Sequence, residues 1–462
     1  MTLISSISGI RGTIGDNPKE GLSPDEIVKF AAAYGQFLLQ QGHTPKVVIG
    51  RDARTSGELV RNVVSGALMA MGIDVVDLGL STTPTVELAV KDQEAGGGII
   101  LTASHNPQEW NALKLLNNQG EFMDGESGQK ILDSAKNQNY TYAKLEKLGQ
   151  VFQDNTYIQK HIDKVLELSL VDLEAIKDAE FNIVLDCVNS TGGIAVPKLL
   201  NALGVNNLTE LFCVPNGRFP HNPEPLEENL TTLSNEVKFQ HADLGIAVDP
   251  DVDRLVFICE DGSYFGEEYT LVTVADYVLS QQKGNTVSNL SSTRALQDIT
   301  EKHGGTYQPS AVGEVHVVEK MKETNAIIGG EGNGGVIYPE LHYGRDALTG
   351  IALFLSYLAK FGKKTSKLRA TYPNYYMSKN KIQLDEQVNL DGLLEKIKKK
   401  YNAQEINTID GVRINFEQDW IHLRKSNTEP IIRIYTESQS ESTANNLANK
   451  IMQDIKACLN EN

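Results

Sequence analysis

Residues 97 to 107 read GGIILTASHNP, an apolar run followed by a turn of small and polar residues. Two shorter apolar runs precede it, at residues 46–50 and 73–78, and a helical pattern follows each of them. This alternation of strands and helices predicts a parallel sheet with helices on both faces. Ligands of such sheets bind outside the carboxyl ends of the strands. Ser104 lies at such an end, which makes it a candidate functional residue.

The alternation restarts twice along the chain of 462 residues, which is longer than one hydrophobic core usually supports. Strands are predicted at residues 181–186 and 243–248, and again at 286–290 and 326–329. From Tyr375 onward, an alternating strand, a basic helix and a terminal helix indicate a small α+β domain. The expected domains are residues 1–152, 153–254, 255–370 and 371–462.

The composition is that of a globular protein with a strongly acidic balance. Hydrophobic residues make up 40% of the chain and charged residues 22%, and the net charge is −17. This charge argues against a nucleic-acid or anionic-membrane partner. Four scattered cysteines without a CxxC pair favour reduced thiols and argue against a zinc site. With no signal-peptide pattern and no long apolar stretch, we expect a cytoplasmic protein; the sequence does not give its oligomeric state.

A second candidate loop, DPDVDR at residues 249–254, follows a predicted strand. Its three aspartates, at every second position, would point to one side and repel one another unless a cation lies among them. Carboxylate oxygens suit Mg²⁺ or Ca²⁺. An EF-hand is disfavoured because Arg254 stands where that turn needs glycine. A dehalogenase-type aspartate nucleophile stays open as an alternative. The candidate ligands are Asp249, Asp251 and Asp253.

Two further loops indicate the binding of a small polar ligand. The glycine-rich loop at residues 329–335 lets a ligand approach the backbone closely, and its Glu331 and Asn333 could bind hydroxyls or an amine. A plain tight turn is the alternative. The loop RKSNTEP at residues 424–430, with Arg433 beyond it, combines the forked and hydroxyl donors that suit a phosphate. A surface charge cluster is its alternative.

The loops SHNP, DPDVDR, GEGNGG and RKSNTEP occur in this order, and the chain resembles the α-D-phosphohexomutase family over essentially its whole length. Residues 8–12 (SGIRG) and 50–54 (GRDAR) also resemble the family's N-terminal signatures. The resemblance implies three similar α/β domains with mixed sheets and a smaller C-terminal α+β domain around a central cleft. It implies an intramolecular phosphotransferase that interconverts hexose 6-phosphate and hexose 1-phosphate through a phosphoserine and a hexose 1,6-bisphosphate.

The same resemblance implies a role for each candidate residue. Ser104 would carry the phosphoryl group, and its phosphate would bind Mg²⁺ together with the three aspartates of residues 249–254. Arg11 and Arg254 would hold phosphoryl oxygens, and Lys114 or His105 would act as the general acid or base, with Lys114 the better match to the family. Hexose 1,6-bisphosphate would act as the activator. The substrate-binding residues would be His316, Glu331, Asn333, Arg424, Ser426, Asn427, Thr428 and Arg433.

The glycine-rich loop departs from the family pattern GExSGH, since Asn333 and Gly335 take the places of the serine and the histidine. This departure leaves the sugar open: glucosamine phosphate is favoured, with glucose or mannose phosphate as alternatives. Two other classes of protein also stay open. A metal-dependent sugar phosphatase with an aspartate nucleophile would release phosphate, but it leaves SHNP and RKSNTEP unexplained. A non-catalytic sugar-phosphate-binding protein would need neither phosphoserine nor metal.

Overall fold

The computed structural model describes residues 2–6, 9–15, 20–384, 389–425 and 431–460. Four β-sheets can be followed through these residues, three of them in α/β units and the last in an α+β unit. The predicted fold class, with mixed sheets and a distinct C-terminal domain, is therefore confirmed. In the part of the chain that is described, no helix is both long and apolar enough to cross a membrane.

The first sheet leads to Ser104 and has the strand order β1-β2-β6-β5-β3-β4-β7. Its strands are β1 (Ile4–Ser6), β2 (Gly9–Thr13), β3 (Lys46–Arg51), β4 (Asp74–Leu80), β5 (Gly97–Leu101), β6 (Trp110–Leu116) and β7 (Val151–Gln153). Its helices are α1 (Pro24–Gln40), α2 (Gly57–Ala70), α3 (Thr83–Asp92) and α4 (Gly125–Asn137). The parallel arrangement predicted for this unit holds for β3, β4 and β5, whereas β6 runs antiparallel to β5. The chain turns back after β5, so the SHNP loop lies in a hairpin.

The second sheet, in the order β11-β10-β8-β9, repeats this hairpin. Its elements are α5 (Tyr157–Leu166), α6 (Leu173–Asp178), β8 (Asn182–Asp186), α7 (Gly192–Ala202), β9 (Asn207–Leu211), α8 (Thr231–Phe239), β10 (Leu244–Val248) and β11 (Leu255–Cys259). β8, β9 and β10 are parallel, and β11 returns antiparallel to β10, so DPDVDR is the turn between them. The second sheet therefore continues past residue 254, where we expected this unit to end.

The third sheet, in the order β13-β12-β14-β15, places the glycine-rich loop in the same way. Its elements are α9 (Glu267–Gln281), β12 (Asn285–Asn289), α10 (Ala295–Lys302), β13 (Tyr307–Ser310), α11 (Glu314–Thr324), β14 (Ala326–Glu331), β15 (Gly335–Ile337), α12 (Ala347–Phe361) and α13 (Thr365–Arg369). β14 is parallel to β12 and antiparallel to β15. In each α/β unit, a candidate loop thus follows a parallel strand and precedes an antiparallel one.

The C-terminal unit is an antiparallel sheet in the order β16-β20-β19-β18-β17. Its elements are β16 (Tyr376–Gln383), α14 (Leu390–Lys400), β17 (Glu405–Asn407), β18 (Val412–Asn415), β19 (Trp420–Lys425), β20 (Ile431–Ser438) and α15 (Glu441–Asn460). Its hydrophobic core joins side chains of both helices, such as Ile397 and Ile451, to Ile421 and Ile432 of the sheet. The opposite face packs in part on the third unit, where His422 lies 3.0 Å from the Ser291 hydroxyl and Arg413 donates to the Leu290 carbonyl oxygen. The end of this face that carries Arg433 is exposed and can take part in a site.

The second and third units share one hydrophobic core. Phe257 of β11 stacks on Phe354 of α12 with ring centroids 3.6 Å apart, and Phe265 meets both rings edge-on. Aromatic pairs of this kind add to the free energy that burial of their apolar surface contributes. The loops of these two units are therefore held in a fixed relation.

A buried polar cluster joins the first three units. His161 of α5 lies 3.0 Å from the Asp346 carboxylate and 2.9 Å from the Thr85 hydroxyl. His342 lies between two carboxylates, 3.4 Å from Asp346 and 3.3 Å from Glu87 of α3. Burial lowers the pKa of His342, but the two carboxylates outweigh it and raise the pKa to about 10. His342 is therefore a cation that ties α3 to the third unit.

This cluster predicts a loss of stability at alkaline pH. The pKa of His342 in the folded protein, about 10, lies above its ordinary value of 6.5. The stabilisation it provides is therefore complete below about pH 6.5 and is lost as the pH rises through about 10. Burial raises the pKa of Glu87 to about 8, so its ionisation also destabilises the fold as the pH rises. We expect the free energy of unfolding to fall from about pH 7 to about pH 10.

Denaturant unfolding across this range tests the expectation. The double variant Glu87→Gln/His342→Asn removes both titrating groups. Its free energy of unfolding should fall less between pH 7 and pH 10 than that of the wild type. His316→Asn, at a half-exposed position, should keep the wild-type slope. Equal slopes in the wild type and the double variant would contradict the assignment.

Candidate active site

The serine loop is held by one buried arginine. Ser104 is 7% exposed and has a φ of 47°, in the left-handed region that non-glycine residues seldom adopt. The Arg54 guanidinium donates to the carbonyl oxygens of Ser104 and Pro107 at 2.5 Å, of Asn106 at 2.7 Å and of Trp110 at 2.9 Å. These four hydrogen bonds fix the unusual turn.

Arg54 is itself fixed by the strand end beside it. Its Nε atom lies 3.0 Å from Asp52 Oδ2, which also accepts the Thr102 hydroxyl at 2.7 Å. The Thr102 oxygen in turn accepts the Ser104 N–H at 2.9 Å. Both residues belong to the GRDAR signature at residues 50–54, but the sequence alone indicates no role for Asp52 or Arg54. Their role is to position the loop.

Ser104 points at the aspartate loop of the second unit. Its hydroxyl donates to Asp249 Oδ2 at 2.7 Å, while Asp249 Oδ1 accepts the N–H groups of Asp253 and Arg254 at 3.2 Å. Burial, followed by the charges of Asp253 and Asp251, raises the pKa of Asp249 well above its ordinary value. The candidate nucleophile and the candidate metal loop, 145 residues apart in the chain, thus lie in contact.

The three aspartates fit a hard divalent cation. Asp249, Asp251 and Asp253 are fully buried, and each offers an oxygen within 4.8 Å of those of the others. Asp251 Oδ1 and Asp253 Oδ1 have no hydrogen-bond partner among the described residues. Buried carboxylate oxygens without a partner are costly unless a cation binds them. Their convergence arises from a turn, in which Val252 has a φ of 62°, and not from the strand-like run that we expected.

Lys114 supplies positive charge to this loop. Its ammonium lies 2.7 Å from Asp251 Oδ2 and 3.7 Å from Asp253 Oδ2, and the Thr83 hydroxyl also donates to Asp251 at 2.6 Å. Burial lowers the pKa of Lys114, but the two aspartates outweigh it and raise the pKa above its ordinary value. Lys114 is therefore charged and can act as a donor.

His105 has the opposite character. Burial, followed by the positive charge of Arg254, lowers the pKa of His105 to about 2. Its Nδ1 atom is buried and has no hydrogen-bond partner in the described part of the chain. His105 is therefore neutral, and its low pKa makes it a weak proton acceptor. Arg254 lies 2.9 Å from the Glu224 carboxylate, a partner that the sequence analysis did not single out.

The glycine-rich loop presents a fixed carboxylate. Glu331 is 6% exposed and accepts Asn289 Nδ2 at 2.8 Å and the Gly313 N–H at 3.1 Å. Arg345 lies 3.1 Å from Glu331 and 3.4 Å from the Asn333 amide oxygen. Burial raises the pKa of Glu331, but the charge of Arg345 outweighs it and holds the pKa below its ordinary value. Glu331 is therefore ionised. Its ion-pair partner, Arg345, was not among the residues predicted from the sequence.

A row of cations crosses the polar face of the C-terminal sheet. Arg433 of β20 stands directly opposite Arg424 of β19 on one side and Lys381 of β16 on the other. Like charges opposite one another on neighbouring strands repel, and a bound anion would relieve this repulsion. Lys381 was not among the predicted site residues, because the sequence alone gives no strand pairing.

Arg11 of the first unit lies near this row. Burial, followed by the charge of Arg433, lowers the pKa of Arg11. His316 is half-exposed on α11 and lines a cavity of about 520 Å³ together with Arg424. The cavity brings those two predicted residues together. Three other predicted phosphate-binding residues lie outside the described part of the chain: Ser426, Asn427 and Thr428.

Four domains of the phosphoglucomutase/phosphomannomutase family match the chain. The α/β/α domains I, II and III match residues 4–141, 159–262 and 266–375, and the C-terminal domain matches residues 381–454. The matched ranges contain one candidate loop each, in the order observed in the structure.

Relatives of known name cover nearly the whole chain. A phosphoglucomutase/phosphomannomutase of Thermococcus kodakarensis is 36% identical over 441 residues, which is 94% of both chains. A phosphoglucosamine/phosphogalactosamine mutase of Sulfurisphaera tokodaii is 31% identical and covers 97% of this chain and 98% of its own. A crystal structure of a phosphoglucomutase/phosphomannomutase family protein from Burkholderia thailandensis superposes with a TM-score of 0.85 at 27% identity, covering 98% of this chain and 97% of that one. The chain therefore belongs to the α-D-phosphohexomutase family of intramolecular phosphotransferases.

Proposed function

We propose that this protein interconverts hexose 6-phosphate and hexose 1-phosphate in the cytoplasm, with Ser104 as the carrier of the phosphoryl group. The observation that supports this most strongly is the 2.7 Å contact between Ser104 Oγ and Asp249 at the centre of a buried carboxylate cluster. Glucosamine 6-phosphate is the favoured substrate. Relatives that act on amino sugars and a relative named for glucose and mannose phosphates both align over most of the chain.

In the first half-reaction, a sugar hydroxyl oxygen attacks the phosphorus of phosphorylated Ser104. The new O–P bond forms as the bond to Ser104 Oγ breaks, which yields the 1,6-bisphosphate. The Lys114 ammonium donates a proton to the leaving Ser104 oxygen and takes up the proton of the sugar hydroxyl in its place, while His105, the alternative acid–base residue, stays neutral. The second half-reaction reverses these roles at the other end of the sugar.

The remaining residues hold charge and position. A Mg²⁺ ion bound by the three aspartates and the seryl phosphate would neutralise charge on the transferring group. Arg11 and Arg254 bind phosphoryl oxygens, and Glu331 and Asn333 bind sugar hydroxyls. The row Arg424, Arg433 and Lys381 binds the phosphate that does not react, together with His316 and the loop of residues 426–428.

Arg424→Ala tests the phosphate site. Arg424 lies 2.7 Å from Asp410, so a phosphate has to share or replace that partner. Losing a charge-assisted contact costs roughly 1.5–3 kcal/mol of binding, so KM should rise about 10- to 150-fold with a much smaller fall in kcat. Steady-state kinetics with the sugar 6-phosphate measures both constants. Lys399→Ala, at an exposed position of α14 in the same unit, makes the same charge change and should leave both constants near wild type.

A substrate panel tests the proposed function as a whole. Hexose 6-phosphates are supplied with Mg²⁺ and a catalytic amount of hexose 1,6-bisphosphate, and sugar 1-phosphate and free phosphate are measured in parallel. We expect sugar 1-phosphate without net phosphate release, and the highest kcat/KM with glucosamine 6-phosphate. Net phosphate release would favour the phosphatase alternative, whereas binding without turnover would favour the sugar-phosphate-binding protein.

A further inference from the structure

We infer that Arg345 is a positioning residue that fixes the metal loop (residues 249–254) relative to the sugar loop (the glycine-rich residues 329–335), and that Gly335 leaves room for its side chain. The inference rests on the proposed mutase function for its kinetic consequences. Its structural basis is independent of that function, and so is one of its measurements.

Each nitrogen of the Arg345 side chain lies close to a different carboxylate. Nη2 lies 2.7 Å from Asp253 of the metal loop, Nε lies 2.7 Å from Glu314 at the start of α11, and Nη1 lies 3.1 Å from Glu331 of the sugar loop. Arg345 is 8% exposed, and these charges raise its pKa well above the ordinary value despite its burial. One guanidinium thus joins loops of the second and third units.

Gly335 leaves the space that the Arg345 side chain fills. A Cβ atom on Gly335 would lie 2.3 Å from Arg345 Cδ and 3.0 Å from its Cγ, which is closer than such atoms approach. Any side chain at position 335 therefore has to displace Arg345. Gly335 stands where the family pattern GExSGH has a histidine, so Arg345 here occupies the volume that a side chain at that place would need.

Arg345 has opposite effects on the two ligands of the site. It places a positive charge 2.7 Å from Asp253, which works against the binding of a cation by that carboxylate. At the same time it anchors Glu331, which is proposed to bind the sugar. Without Arg345, the buried carboxylates of Glu331 and Glu314 both lose the guanidinium that forms an ion pair with them. Loss of Arg345 should therefore tighten Mg²⁺ binding and weaken sugar binding together.

The test measures Mg²⁺ binding by calorimetric titration of the purified protein, and separately KM and kcat for the sugar 6-phosphate. In Arg345→Ala, the Kd for Mg²⁺ should fall about tenfold, because one repelling charge is removed. KM should rise and kcat should fall, each by about tenfold or more. Arg345→Lys keeps the charge, so its Kd for Mg²⁺ should equal that of the wild type. Its KM should rise and its kcat should fall less than in Arg345→Ala. A merely destabilised protein would bind both ligands more weakly.

Gly335→Ala provides the second arm, and it removes no charge. It should move Arg345 and reproduce the direction of all three changes, and adding it to Arg345→Ala should change little further. Gly66→Ala, where a Cβ meets nothing within 4 Å, and Arg61→Ala on α2 are the matched controls. An unchanged or weaker Mg²⁺ affinity in Arg345→Ala, or additive effects of the two substitutions, overturns the inference. If the wild type turns over no hexose phosphate, the proposed function fails, but the Mg²⁺ titrations still decide the role of Arg345.

Discussion

Ser104→Ala is expected to lower the mutase rate by about 10⁴-fold or more, because no other group replaces the oxygen that carries the phosphoryl group. The fold should tolerate the change. A φ of 47° strains the backbone of alanine as much as that of serine, and the substitution removes only one side-chain hydrogen bond, the one to Asp249. Turnover is measured with hexose 1,6-bisphosphate present, and intact mass is measured on freshly purified protein. The wild type should contain a fraction heavier by one phosphoryl group that peptide mapping places on Ser104.

Ser134→Ala, on helix α4 of the same unit, is the matched control and should keep both the heavier species and the rate. A fully active Ser104→Ala protein would refute the proposed carrier. Phosphate mapped only to an aspartate of residues 249–253 would instead support the phosphatase alternative.

Asp251→Asn is expected to lower turnover by about 10³-fold with little loss of stability. The amide keeps the shape of the side chain and its contact with the Thr83 hydroxyl, but it removes one of the three charges that bind the cation. Without a cation these carboxylates repel, and relief of this repulsion offsets the loss of the 2.7 Å ion pair with Lys114, so the free energy of unfolding measured without Mg²⁺ should fall only modestly. Asp133→Asn, on the exposed face of α4, should leave both rate and stability unaffected. Near-wild-type activity of Asp251→Asn would reject the metal site.

The elements that lead into the site follow from local pattern. Strands at residues 97–101 and 244–248 are short apolar runs that end in polar loops, and such runs identify buried parallel strands. α1 begins at Pro24, where the sequence SPDE at residues 23–26 has the pattern of a capped helix start, and the Ser23 hydroxyl accepts the Glu26 N–H. Ser104 and the three aspartates could therefore be found from the sequence, because each lies in a loop directly after such a strand.

The residues that the sequence analysis missed act across long stretches of chain. Arg345 and its partner Asp253 are 92 residues apart in the sequence, and Arg54 binds carbonyl oxygens of residues some 50 positions further along the chain. Hydrophobic periodicity records which face of an element is buried, but it carries no information on which distant charge lies opposite. The antiparallel return of β11 was missed for a similar reason. A fully buried strand has no alternation that would reveal its direction or its sheet.

Arg54 fixes the serine loop, so in the proposed catalytic cycle the sugar phosphate has to move while Ser104 stays in place. Because one guanidinium holds four backbone oxygens, the proposed reactive oxygen of Ser104 would stay anchored to the first unit in both half-reactions. Both ends of the sugar have to reach this one stationary point in turn. Under the proposed mechanism, the bisphosphate therefore has to rotate end over end, and the cations of the C-terminal sheet have to release one phosphate and bind the other. An inhibitor that spans the serine and the C-terminal sheet without being able to rotate would arrest the enzyme halfway.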